Sequence, residues 1–141
     1  MKVRDILARK GHDVMTTSPQ TTLREAARLL KTHRIGALVV VEGDRPVGIL
    51  SERDIVNAVA DAGAEAIDAP VADFMSRDMI ACSMDDTTDR LMEVMTEKRV
   101  RHLPVLENGK LAGLVSIGDV VKQRIEEISF EAEQMKMFIA S

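Results

Sequence analysis

The chain has 141 residues, enough for one ordinary domain or two very small interlocked halves. Apolar residues make up 45% and supply a core, whereas aromatic residues make up only 2%, with no Trp and no Tyr. A net charge of −4 and the shortage of rings on which bases could stack disfavour a nucleic-acid-binding surface.

Cysteine usage and hydropathy give no sign of export or of membrane insertion. Cys82 stands alone, so no intramolecular disulfide can form, and we expect a small buried side chain in a reducing compartment. No apolar segment approaches the roughly 18 residues of a membrane span. The first residues also lack an apolar run followed by a cleavage site. We therefore expect a cytoplasmic location.

In chain order, the first half reads as helix, strand, turn, strand and helix. Apolar residues from Leu23 to Leu30 recur at i, i+3, i+4 and i+7, which predicts an amphipathic helix. The apolar run Ile35–Val41 predicts a buried strand, Glu42–Pro46 a turn, and Val47–Leu50 a second strand. A second helix begins near Ser51.

The second half repeats this order. Leu91–Met95 has the apolar stripe of the corresponding helix, Val100–Leu106 is an apolar run that predicts a strand, and Leu111–Val115 predicts a short second strand. Asn108-Gly109 between the two runs is a strong hairpin signal. The resulting β-α-β-β-α unit, present twice, predicts an α/β (α+β) fold of two repeats packed with pseudo-twofold symmetry.

The two copies can be superimposed along the sequence. A shift of 65 places brings Arg34, Val40, Gly48, Ser51 and Asp54 onto Arg99, Val105, Gly113, Ser116 and Asp119. The opening Val3–Leu7 matches Val71–Met75 at a shift of 68, because the first connector is longer. We expect residues 1–68 to form the first repeat with its linker and residues 69–128 the second.

The last helix continues beyond the length that one repeat needs. Its apolar stripe runs from Val121 to Ile139, so residues 129–141 are predicted to be a C-terminal helical extension. An extended apolar stripe needs a surface to cover it, and a twofold partner is the commonest choice. We therefore expect a homodimer.

These residues resemble CBS repeats. The resemblance is carried by Ile35–Val40 with Gly48–Ile55, and by Arg101–Val105 with Gly113–Val120, and both copies contain the pattern Gly-h-h-Ser-x-x-Asp, where h is apolar. The resemblance covers nearly the whole chain apart from the extension. It implies a Bateman module, which is two repeats joined by their sheets with two related clefts between them.

Members of this family commonly bind AMP, ADP or ATP, and sometimes S-adenosylmethionine or a dinucleotide such as NAD. They usually regulate an enzyme, channel or transporter, so the resemblance implies a regulated partner, which the sequence does not identify. It also implies that the Ser/Asp turn of one repeat faces the edge strand of the other. The first cleft would combine Ser116, Ile117 and Asp119 with Lys10, His12, Val14, Ile35, Gly36 and Ala37. The second would combine Ser51, Arg53 and Asp54 with Met79, Ile80, Arg101, His102 and Leu103.

The chemistry of these residues suits a nucleotide. A helix N-terminus offers unpaired amides and a positive dipole end to phosphate, and a carboxylate can accept two hydrogen bonds from the ribose diol. We predict that Asp54 and Asp119 bind ribose and that Arg101 and His102 bind phosphate. Since Gly118 stands where the other turn has Arg53, the second cleft should favour ligands with more phosphate.

Other interpretations remain open. Each Ser-x-x-Asp turn could serve only as a helix cap, although capping and binding can coexist. The chain could also be an interaction or oligomerisation module whose clefts are vestigial. No zinc-ligand spacing, nucleophile motif or phosphate loop occurs, and an enzyme such as IMP dehydrogenase would match this chain only through its regulatory insert. We expect neither catalysis nor a metal.

Overall fold

The computed structural model describes residues 1–140, which form five α-helices and two small β-sheets. The helices are α1 (Val3–Lys10), α2 (Leu23–His33), α3 (Glu52–Ala62), α4 (Thr88–Lys98) and α5 (Ile117–Ala140). The strands are β1 (Thr16–Thr17), β2 (Ala37–Glu42), β3 (Arg45–Ser51), β4 (His102–Glu107) and β5 (Lys110–Ser116). Two short 3₁₀ helices, Ala64–Asp68 and Val71–Asp73, lie between α3 and α4. The predicted mixed α/β class is confirmed. Ser141, the last residue of the predicted extension, lies outside the described residues.

The described chain forms two compact units that do not coincide with the two sequence repeats. One unit contains Asp13–Ile80 and Glu107–Ala112, and the other contains Met1–His12, Ala81–Leu106 and the residues from Gly113 onward. The N-terminal residues therefore pack with elements of the second repeat. The amide of Val3 donates to the carbonyl of Asp86 at 2.9 Å, and the amide of Thr88 donates to the carbonyl of Met1 at 3.0 Å.

The unit built mainly from residues 13–80 has a three-stranded sheet in which β1 is parallel to β2 and β2 is antiparallel to β3. Helix α2 begins because the Thr22 hydroxyl accepts a hydrogen bond from the amide of Glu25 at 3.2 Å, and it ends at Arg34 with a left-handed φ of 54°. The predicted apolar stripe of α2 packs into the core of this unit. That core contains Leu23, Ala26, Leu30, Leu38, Val40, Leu50, Ala58, Ala66, Val71 and Met75.

The second repeat uses the same local devices. Thr87 caps α4 by accepting from the amide of Arg90 at 3.1 Å, and α4 ends at Arg99 with φ 55°. Asn108 and Gly109 have φ of 53° and 76° between β4 and β5, as the hairpin prediction requires. The first strand predicted for this repeat is reduced to a single bridge from Cys82 to Val105.

The glycines of the Gly-h-h-Ser-x-x-Asp pattern lie where the backbone packs closely. A Cβ on Gly48 would lie 2.7 Å from Sδ of Met75 and 3.0 Å from the carbonyl oxygen of Ser76. A Cβ on Gly113 would lie 2.8 Å from Cδ1 of Leu7. Both distances are below van der Waals contact, so these glycines allow β3 and β5 to pack against a neighbouring segment of their own unit.

Helix α5 is anchored by its first two turns and is exposed afterwards. Val120 and Gln123 are buried, whereas every described residue from Ser129 to Ala140 is exposed. Gln123 is only 3% exposed, and its Nε2 has no hydrogen-bond partner among residues 1–140. A buried amide donor without an acceptor loses its hydration without compensation.

Replacing Gln123 with Met, which has a similar volume and no amide, should therefore raise the free energy of unfolding by about 1 kcal/mol. The measurement is urea denaturation, with Gln134→Met on the exposed part of α5 as the matched control that should leave stability unchanged. A destabilised Gln123→Met protein would contradict this prediction.

Candidate functional site

Each compact unit contains one candidate site, a turn in which a strand passes directly into a helix. In the first turn, the amide of Ser51 donates to Oδ2 of Asp54 at 2.9 Å, and the amide of Asp54 donates to Oγ of Ser51 at 3.3 Å. Oγ of Ser51 also donates to Oδ2 of Asp54 at 3.1 Å. This reciprocal pattern is a capping box, with Asp in the place of the more usual Glu.

The second turn repeats this geometry 65 residues later. The amide of Ser116 donates to Oδ2 of Asp119 at 2.8 Å, and the amide of Asp119 donates to Oγ of Ser116 at 3.2 Å. The capping role that the sequence left open is therefore present in both copies.

The edge residue before each strand lies next to the turn of its own repeat. The carbonyl of Gly36 accepts from the amide of Glu52 at 3.0 Å, and the carbonyl of Arg101 accepts from the amide of Ile117 at 2.8 Å. Together with the capping boxes, these bonds engage the first and third amides of α3 and of α5. The helix N-termini thus offer fewer free amides to an anion than the sequence suggested, so an anion bound at either turn would depend more on side chains.

Lys10 joins α1 to the second turn. Its Nζ donates to Oδ2 of Asp119 at 2.7 Å and to the carbonyl of Leu114 at 2.8 Å. Burial alone would raise the pKa of Asp119, but the hydrogen bonds from Lys10 and Ser116 and the charge of Lys10 together hold this pKa below its ordinary value. Although this turn has Gly118 in the place of Arg53, it therefore still has a cation.

Lys10 and Asp119 also line a small cavity of about 100 Å³ between α1 and α5. Arg9 and Lys122 line the same cavity, and Arg9 pairs with Glu126 across it. Sequence reasoning missed these two cations. The spacing of Lys122, three positions after Asp119 on one helical face, is the signal that could have found the second.

The remaining predicted site residues differ in exposure. Ala37 and Leu103 are 2% and 1% exposed, so they can offer a ligand only their backbones without rearrangement. The half-buried residues are Val14, Ile35, Gly36, Ser51, Asp54, Met79, Ile80, His102, Ser116 and Asp119. The exposed ones are Lys10, His12, Arg53, Arg101 and Ile117. The pairing of each turn with the edge strand of the other repeat stays a prediction.

The single cysteine is placed as a core residue. Cys82 is 7% exposed, and burial together with the nearby Asp86 charge raises the pKa of its thiol to about 12. The expectation of a small buried side chain is confirmed. Within residues 1–140, no three His, Cys, Asp or Glu side chains come together as a metal-binding group, and no helix is long and apolar enough to cross a membrane.

Comparison with known proteins identifies the family. The family model described as "CBS domain" matches residues 3–61 and 71–126, and the chain therefore belongs to the CBS domain family. A crystal structure of a CBS-domain protein from Agrobacterium tumefaciens is 49% identical over 88% of this chain and 99% of its own, with a TM-score of 0.86.

Two further structures contain ligands. A CBS domain protein from Pyrobaculum aerophilum complexed with AMP is 29% identical over 84% of this chain and 89% of its own, with a TM-score of 0.75. The CBS domain pair of protein MJ0100, complexed with 5′-methylthioadenosine and S-adenosyl-L-methionine, is 25% identical over 87% and 98%, with a TM-score of 0.78. The inosine-5′-monophosphate dehydrogenase of Methanocaldococcus jannaschii is 33% identical over 79% of this chain, which corresponds to only 22% of the enzyme.

The contacts of Lys10 predict how Asp119 titrates. Because the folded-state pKa of Asp119 is lowered, its contacts stabilise the fold above the ordinary carboxyl pKa of about 3.9, and this stabilisation is lost as the pH falls through the lowered value. Lys10→Met should raise the pKa of Asp119 in a carboxyl NMR titration. Arg9→Met, which removes the partner of Glu126 instead, should leave it unchanged. Equal titration curves for the parent and Lys10→Met would disprove the coupling.

Proposed function

We propose that the chain is a regulatory module, without catalytic activity of its own, that binds an adenosine nucleotide at its Ser-x-x-Asp turns. The observation that carries the proposal is that both turns have the same geometry. Each holds a half-buried carboxylate at the start of a helix, next to the edge residue, Gly36 or Arg101, of its own repeat. The ligands of the two related structures, AMP, 5′-methylthioadenosine and S-adenosyl-L-methionine, share an adenosine-type group. AMP, ADP or ATP is the ligand class that we favour, with NAD or S-adenosylmethionine as alternatives.

Ribose recognition follows from the acceptor capacity of the two aspartates. A carboxylate has two oxygens with about four acceptor positions, and the capping bonds at Asp54 and Asp119 go to Oδ2. A vicinal diol can therefore add hydrogen bonds while the cap stays in place. Lys10 and Ser116 already hold Asp119 ionised, so this carboxylate is ready to accept them.

Phosphate recognition would then fall to the cations around each turn. Lys10 and Lys122 lie beside Asp119, Arg53 follows Ser51 in α3, and the backbone of Arg101 is bound to the start of α5. Exposed Lys and Arg side chains can reorient toward a phosphate, which the engaged amides of the helix N-termini cannot do. A ligand phosphate would also replace Asp119 as a partner of Lys10.

The second candidate function is an interaction module with vestigial clefts. It is favoured by the fact that the carboxylates of both turns already have hydrogen-bond partners without a ligand. The dehydrogenase similarity adds no third candidate, because it is confined to 22% of that enzyme. The regulated partner and the cytoplasmic location remain proposals.

The absorbance of the purified protein distinguishes the two candidate functions. Since the chain has no Trp and no Tyr, a copurifying nucleotide would dominate absorbance at about 260 nm.

The nucleotide proposal is tested on the two aspartates. Asp54→Ala and Asp119→Ala should each weaken binding of AMP or ATP by about 1.5–3 kcal/mol, the range for a hydrogen bond to a charged group. Isothermal titration calorimetry against AMP, ATP, NAD and S-adenosylmethionine measures this loss.

Asp86→Ala is the matched control, because Asp86 also accepts from a backbone amide three residues earlier, at 2.8 Å, but lies outside both turns. Thermal melts of all variants separate the two effects, because a lost helix cap lowers the stability of the protein without ligand, whereas a lost ligand contact lowers only the affinity. If the double variant binds as tightly as the parent, the aspartates do not hold the ribose. A parent that binds none of the four ligands favours the interaction module.

Phosphate recognition is tested by charge reversal. Arg101→Glu should lower the affinity for AMP and ATP about tenfold or more while changing adenosine binding little, because only the phosphate contact is Coulombic. Arg45→Glu makes the same charge change at the opposite end of β3 from Ser51 and should leave all three affinities unchanged. An Arg101→Glu protein with parental preference for AMP over adenosine would exclude Arg101 as a phosphate ligand.

A further inference from the structure

The outer part of α5 is a long exposed helix with a large apolar surface. Ile125, Ile128, Met135 and Ile139 are 58%, 51%, 63% and 78% exposed. Such large apolar side chains are normally covered, and a helix that projects beyond its domain has little of its own structure to cover them.

The spacing of these residues identifies the kind of surface that fits them. Val121, Ile125, Ile128, Ala132, Met135 and Ile139 are separated by alternating steps of 4 and 3 residues. This average of 3.5 residues is the heptad period, in which one apolar seam faces a second supercoiled helix. Ile125, Ala132 and Ile139 occupy position a, and Val121, Ile128 and Met135 occupy position d.

The charges beside the seam indicate what the second helix is. Glu131 occupies position g and Lys136 occupies position e of the next heptad, a separation of five residues. In a parallel, in-register pair, g of one helix meets e of the following heptad in the other helix. Two copies of this chain would therefore form two Glu131–Lys136 pairs, one on each side of the seam.

The charge of this segment also disfavours a membrane surface. Glu126, Glu127, Glu131 and Glu133 stand against a single Lys136 between residues 126 and 140. Amphipathic helices that bind anionic lipid carry Lys and Arg on the polar face, so this segment would be repelled by such a surface. A protein helix that offers a Lys opposite Glu131 and a Glu opposite Lys136 fits better, and a second copy of this segment offers both.

We propose that residues 121–139 pair with the same residues of a second copy of this chain as a parallel, in-register, two-stranded coiled coil. This arrangement buries the exposed seam of both copies and assigns a surface to the homodimer expected from the sequence. It does not depend on nucleotide binding.

The register is tested by exchanging the two charges. Glu131→Lys replaces two attractive pairs by two repulsive ones and should raise the dimer dissociation constant about tenfold in sedimentation equilibrium at low salt. The double variant Glu131→Lys with Lys136→Glu restores opposite charges and should return the constant to within about twofold of the parent. Glu133→Lys, an equal change at position b away from the seam, is the matched control and should have little effect.

Orientation is tested by cross-linking at the seam. Met135→Cys should form a disulfide-linked dimer on mild oxidation, because position d of one helix faces position d of the other in a parallel pair. Glu133→Cys should not. The natural Cys82 does not interfere, because its thiol is buried and its pKa is raised to about 12.

Four results would overturn the proposal. If truncation after Ile128 leaves the dissociation constant unchanged, the coiled coil does not contribute to the dimer. If the double charge exchange fails to restore the parental constant, or if Met135→Cys does not cross-link, a parallel in-register pair is excluded. A parent that is monomeric at concentrations near 0.1 mM, roughly the upper range for a weak specific dimer, would exclude the pairing altogether.

Discussion

The absence of a loop between strand and helix is the constraint on which the candidate site depends. β3 ends at Ser51 and α3 begins at Glu52, and β5 ends at Ser116 and α5 begins at Ile117. The chain must turn within one residue and still satisfy the amides at the start of the helix. The Ser hydroxyl, the Asp carboxylate and the carbonyl of the preceding edge residue do this, and they thereby fix a carboxylate in the same place in both repeats.

The two turns share a backbone geometry but differ in their surroundings. Nζ of Lys10 lies 2.7 Å from Oδ2 of Asp119. The turn of Asp54 instead contains Arg53, which directly precedes Asp54 in the sequence. A ligand at Asp119 must share or displace an existing ion pair, and the energy of that exchange depends on what the ligand offers to Lys10 in return. Phosphate is a good replacement partner and a neutral group is a poor one. Under the proposed function, the cation partner, more than the carboxylate, is therefore what would give the two turns different ligand specificities.

Local sequence signals predicted the local structure well. The Ser51 and Ser116 caps, the Asn108-Gly109 hairpin and the helical stripes each depend on residues a few positions apart, so the sequence contains all the information needed. The elements that pack against α1 could not be predicted from local sequence, because Val3, Ile6 and Leu7 indicate that α1 is buried but not which residues cover it. The sequence also did not predict that the carbonyls of Gly36 and Arg101 accept hydrogen bonds from the helix amides, because a backbone acceptor leaves no signature in the side-chain types.

The assignment of Met1–His12 to the same compact unit as α4 and α5 has a consequence for how the chain folds. Residues 13–80 are contiguous and can collapse as soon as they have been synthesised. The other unit must bring its first segment next to residues that are synthesised at least 69 positions later, and it bears the entropy of closing that loop. Contacts between residues far apart in the sequence are therefore concentrated in this unit, and α1 can pack only after the second repeat has been synthesised.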